Sequence, residues 1–210
     1  MNSMELYKPF LYVHITGGTT ALICGLIAIL TTKGMKVHRM AGKIYFYAMI
    51  IVAACAIVLS SIKPNPFLFS IAIFALYMTY TGYRSVKNKK FIAQWYDWLL
   101  LILNMLTSLW MISNFELVLA VFGTINLVMC IRDFQVYRKG ESYIQQHKLH
   151  WLLNHISRMI GAYIATVTAF LVVNIQMNPS WVPWLTPTIL GVPLIAYFSS
   201  RYSKKPPKAV

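Results

Sequence analysis

Long apolar runs broken by short polar links dominate the pattern along this chain. The runs cover about residues 11–31, 40–62, 66–84, 95–113, 115–131, 153–175 and 181–199. Each is close to the roughly 20 residues that an α-helix needs to cross a hydrocarbon core about 30 Å thick. Backbone groups left unpaired in lipid have no water to turn to, so each run is expected to be helical. The short alternating segments of a membrane barrel do not occur. The pattern predicts an all-α, polytopic membrane helical bundle of seven spans. It forms one domain over 1–210, ending in a short flexible basic tail at 201–210.

The polar links carry a second pattern. Lys33, Lys36, Arg39 and Lys43 surround the first link, and Arg84, Lys87, Lys89 and Lys90 occupy the third. Arg132, Arg138, Lys139 and Lys148 fall in the fifth, and Arg201, Lys204, Lys205 and Lys208 follow the last run. The other side receives only Lys8 and Lys63. Bases on every second link are what seven spans and a positive-inside bias require, with the N-terminus outside and the C-terminus in the cytoplasm.

Composition agrees. Hydrophobic residues make up 58% of the 210 and charged residues only 11%, against about 25% in soluble domains; mean hydropathy is +0.60. A net charge of +14 would point to nucleic acid in a soluble chain. Here the bases sit at span ends and serve topology, so membrane lipids, not nucleic acid, are the expected partners. The start MNSMELYKPF lacks the basic opening of a signal peptide, which makes the first run a retained span. Cys24, Cys55 and Cys130 lie inside apolar runs without CxxC spacing and read as small buried side chains.

Finer features follow. Gly18, Ala21 and Gly25 in the first span, and Gly161, Ala165 and Ala169 in the sixth, form ridges suited to close packing within the bundle or between copies. Pro187 and Pro193 should bend or unwind the last span. Asp133 to Trp151 reads as a polar link whose end, ESYIQQHKLHWLLNH, predicts an interfacial helix.

The chemistry concentrates in five histidines. His14 lies at the outer end of the first span and His38 at the inner mouth of the second. His147, His150 and His155 approach the sixth from the inner side. His150, Asn154, Arg158 and Gly161 share one helical face, and His155 points partly elsewhere, with Arg158 and Ala162. With Asp97, Arg39 and Arg158 at similar depth, these residues predict an inner polar cluster. One reading is plain anchoring, with Asp97 paired to Arg39 or Arg158. A second is a b-type haem on His38 and His155, His150 being the alternate ligand, with Arg39, Arg158 and Lys43 near the propionates. It implies a redox role with a quinone or redox protein as partner. A third is a zinc or iron centre on His38, Asp97, His150 and His155, as in a membrane hydrolase. A cofactor-free transporter, sensor or assembly partner completes the set, its path lined by Asp97, Asn104 and the tyrosines of the third span.

The segments HITGGTTALICGLIAIL, KGMKVHRMAGKIYFY and NHISRMIGAYIATVTAF resemble the bacterial predicted membrane proteins grouped as DUF2306. The resemblance rests on His14, Gly18, His38, Gly42, His155 and Arg158. It implies a helical membrane bundle in the bacterial inner membrane and brings no assigned activity. The chain is more faintly similar to cytochrome b561, in which a histidine opens one helix and a KxxH-like element the next. Here that element is Lys36-Val37-His38, one residue shorter. This similarity implies an inner haem. An outer haem lacks a second histidine beside His14.

Overall fold

The computed structural model describes residues 3–204, with side chains from Glu5; Lys205 and Lys208 of the expected basic tail lie outside the described residues. The helices are α1 (Ser3–Leu30), α2 (Lys36–Ile62), α3 (Pro66–Lys87), α4 (Trp95–Ser113), α5 (Leu117–Lys139), α6 (Glu141–Gln146), α7 (His150–Asn174) and α8 (Val182–Lys204). All but the short α6 are long and apolar enough to cross a membrane. The protein is an integral, multi-span membrane protein, and its side chains are distributed accordingly. Leu106 and Leu190 are 62% and 71% exposed on helix exteriors, while Asn104, Asn126, Ser108 and Thr79 are buried. In lipid, apolar side chains can face outward, and polar ones must find partners inside.

Local chemistry explains several boundaries. Asn65 caps α3, its Oδ1 accepting the Leu68 N–H at 3.0 Å, and Pro66 occupies the first turn, where its missing N–H costs nothing. A capping box between Gln94 and Asp97 starts α4. Two helices run further than the apolar pattern predicts. α5 continues past Ile131 to Lys139, so Arg132 and Asp133 are helical and not in a link. α8 remains helical through Pro187 and Pro193 and on to Lys204, so Arg201–Lys204 continue the helix. The expected interfacial helix is reduced to α6, separated from α7 by a turn.

Helices α1, α2, α3 and α7 pack in a closed ring, in the order α1–α2–α3–α7 and back to α1. α2 and α7 stand on its diagonal. The α4–α5 hairpin leans on α3, and α8 packs along α7. Tyr45, Met49, Phe74, Met78, Met111, Phe122 and Ala162 make the main core. The α4–α5 seam holds Asn104 and Asn126, whose side chains meet at 3.3 Å, so Asn104 serves helix packing.

Ring contacts confirm which links share an end. Lys33 sits over the Phe198 ring, Lys89 over Trp151, and Lys90 reaches Glu141 at 3.7 Å. At the opposite end Lys63 sits over Tyr7, and Phe67 meets Trp184. The first, third and fifth links and the end of α8 therefore form one basic end.

The first-span ridge is used selectively. A Cβ on Gly25 would overlap the Tyr163 ring and approach Tyr45 at 3.1 Å, whereas one on Gly18 would meet nothing within 4 Å. Tyr163 also donates its hydroxyl to the Leu22 carbonyl at 3.3 Å. Gly25→Leu is expected to force α1 from α7 and cost about 1–3 kcal/mol, seen as a lower thermal midpoint in detergent. Gly18→Leu should leave that midpoint nearly unchanged.

Candidate functional site

Two polar assemblies occupy the basic end. The first is built from histidines. His38, in the first turn of α2, has Nδ1 2.9 Å from the Ala28 carbonyl. That carbonyl belongs to the last turn of α1, where no intrahelical donor remains. Lys33 serves the same turn, its Nζ donating to the carbonyls of Ala28, Ile29 and Thr31. Burial and then the charge of Arg201 hold the Lys33 ammonium pKa below its ordinary value.

His155, half-buried on α7, has Nδ1 2.9 Å from the Gly82 carbonyl of α3. A carbonyl only accepts, so in both rings Nδ1 carries the proton and the Nε2 lone pair is left free. The two imidazoles are near enough to interact electrostatically. They stand on the diagonal helices of the ring, at the same end. Arg39 and Lys43 are exposed at the same mouth, and a Cβ on Gly42, one turn along from His38, would meet open space. His14 is pinned in the same manner, with Nδ1 3.0 Å from the Val52 carbonyl, but it belongs to the other half of α1.

The second assembly lies between α5 and α7. The Arg158 guanidinium donates through NH2 to Asp133 Oδ2 at 2.8 Å, and both side chains are buried. Tyr77 donates its hydroxyl to the same oxygen at 2.6 Å. Asn154 accepts from Arg158 Nε at 3.2 Å and donates to Ser85 Oγ at 2.8 Å. His150 is flanked by Phe91 and Tyr143 and interacts with Asp133 and Arg158. A cavity of about 530 Å³ opens beside this network, lined by α5, α7 and α8. His150, Asn154, Arg158 and Gly161 all face it, as their helical spacing predicts.

Asp97 joins neither assembly. Arg84 grips it with two hydrogen bonds, Nε to Oδ1 at 2.9 Å and NH2 to Oδ2 at 2.7 Å. The Tyr80 hydroxyl and the Gln94 N–H complete its shell at 2.7 and 2.9 Å. Its partner is thus Arg84, not Arg39 or Arg158. A carboxylate so occupied has its acceptor positions filled by protein. Among the described residues, no three His, Cys, Asp or Glu side chains converge as a metal site needs.

Asp133 is the residue the apolar pattern passed over. Its signal was the continued spacing of Asn126, Cys130, Asp133 and Tyr137, one helical face running beyond the apolar run.

Residues 11–101 match the family described as Predicted membrane protein (DUF2306). The matched stretch includes His14, Gly18, His38 and Gly42 and ends before His155 and Arg158. Comparisons with curated proteins and with solved structures found no match.

Removing one member of the Arg158–Asp133 pair strands a buried charge. Asp133→Leu should cost about 3–5 kcal/mol. The double variant Asp133→Leu with Arg158→Met should cost clearly less. Denaturation of the two singles and the double, read as a mutant cycle, measures the coupling.

Proposed function

We propose that this membrane protein is a redox subunit that holds one b-type haem between His38 and His155. The carrying observation is that both imidazoles are fixed through Nδ1 by backbone carbonyls. Each therefore presents a free Nε2 from facing helices at one end of the ring. An Nδ1–H···O=C bond orients a ligating imidazole and strengthens it as a donor. The donor set is that of a six-coordinate haem, which when bound supplies one-electron chemistry. Arg39 and Lys43, both exposed at that mouth, are the cations available to its carboxylates. Arg158 pairs with Asp133 and faces the cavity beside α5 and α8, so it is not among them. His150 remains the alternate ligand. The faint similarity to cytochrome b561 favours the same reading.

The basic end faces the cytoplasm in this proposal, in the inner membrane of a bacterium, with the N-terminus outside. The support is the charge bias of the links. A haem held by His38 and His155 would supply one-electron chemistry toward a quinone or a redox protein. His14 has no second histidine at its own end, and a single inner haem is the consequence.

Protein expressed with haem supplied, freshly purified, should show a Soret band and a reduced-minus-oxidised α band. His38→Ala and His155→Ala should each abolish the low-spin spectrum, while His14→Ala keeps it. A wild-type spectrum with no Soret band would overturn the proposal. Orientation is checked by thiol labelling of intact cells in a background lacking Cys24, Cys55 and Cys130. Cysteine placed at Ser180 should react with an impermeant reagent, and cysteine at Lys36 or Lys89 should not.

A further inference from the structure

The cavity between α5, α7 and α8 lies apart from the His38–His155 pair, yet it is built like a binding site. α5 does not pack closely against α7 or α8, and Asp133–Arg158 bridges the gap. On α7 the lining runs from His150 to Ala165, about 22 Å at 1.5 Å per residue. The composition changes along it. Near the basic end it is polar, with His150, Asn154, Ser157 and Arg158. Deeper, Phe74, Phe122, Ile164 and Val192 make it apolar.

Three buried polar atoms of lining residues have no hydrogen-bond partner: Arg158 NH1, His150 Nε2 and Thr188 Oγ1. The first is the most telling. Arg158 is 3% exposed. Its Nε and NH2 are spent on Asn154, Met129 and Asp133, and Tyr77 offers its ring face at 5.5 Å. NH1 keeps its donors unused, a costly state for a buried cation. Arg132, exposed at the mouth, lines the cavity together with the buried Arg158–Asp133 pair, so its polar end is electropositive.

We infer that this cavity binds an anionic amphiphile, its head taken by Arg158 NH1 and His150 Nε2 and its acyl chain laid along α7 toward Thr188. A carboxylate or phosphate oxygen accepts from both nitrogens, and His150 donates from Nε2 when its ring takes that tautomer. The volume lies within the range of small-molecule sites. The head chemistry is shared by a free fatty acid and an anionic phospholipid. A neutral quinone would offer Arg158 NH1 only an uncharged acceptor, the weaker partner for a guanidinium.

The test uses the full chain in non-ionic detergent, stripped of lipid, and does not depend on haem content. Radiolabelled hexadecanoate is titrated, with hexadecanol and phosphatidylglycerol as competitors. Hexadecanoate should bind saturably, and hexadecanol should compete about ten-fold or more weakly, equivalent to about 1.4 kcal/mol. Displacement by phosphatidylglycerol at lower concentration than by unlabelled hexadecanoate assigns the head to a lipid phosphate. The reverse order assigns it to a free carboxylate, and either supports the site. Ala165→Phe, which fills the apolar half without touching the ion pair, should weaken binding about ten-fold. The double variant Asp133→Leu with Arg158→Met should bring hexadecanoate down to the level of hexadecanol. Absence of saturable binding, equal competition by hexadecanol on the wild-type protein, or unchanged affinity in folded Ala165→Phe would each overturn the inference.

Discussion

Two buried aspartates hold the α4–α5 hairpin to the rest of the protein, and each does so through one arginine and one tyrosine. Asp97 on α4 takes Arg84 and Tyr80 from α3. Asp133 on α5 takes Arg158 from α7 and Tyr77 from α3. Charge is tolerated in a hydrocarbon surround only when its counter-charge and hydrogen bonds are supplied on the spot. The hydrophobic effect does not choose one helix partner over another, since lipid tails are just as apolar. The ion pairs do choose, and they set how the hairpin meets the ring.

The second pair also holds a space open. Arg158 reaches across from α7 to α5 where the helices do not otherwise close, and the cavity is what remains on the α8 side. Its polar end coincides with the network that maintains it. Any ligand there would sense the same guanidinium that supports the fold. Structure and binding are then not separable by single substitutions at Arg158, because removing it also strands Asp133.

The histidines follow a different logic. His14, His38 and His155 each spend Nδ1 on a main-chain carbonyl of a neighbouring helix. For His38 this closes the end of α1, a structural service complete in itself. The same bond sets the tautomer and aims Nε2, so one hydrogen bond both staples two helices and prepares a ligand nitrogen. Only at the basic end do two such rings come close. That juxtaposition separates His38 and His155 from His14, although the local bonding of all three is alike.

The sequence by itself determined that there are seven apolar helices, about where they run, and that bases gather on alternate links. These properties follow from hydropathy and span length, which act locally along the chain. It also determined that His150, Asn154, Arg158 and Gly161 share a face, because the helical repeat is fixed by the backbone. Tertiary structure decided the partners. Asp97 has Arg84 and not Arg39 or Arg158, and Asp133 lies inside α5 and meets Arg158. His155 turns to α3 while His150 faces the cavity. Nothing in the local pattern ranks one arginine above another for a given aspartate. The choice is made when desolvated charges must find the counter-charge that packing brings within hydrogen-bond distance, and packing of whole helices is set by side chains far apart in the chain.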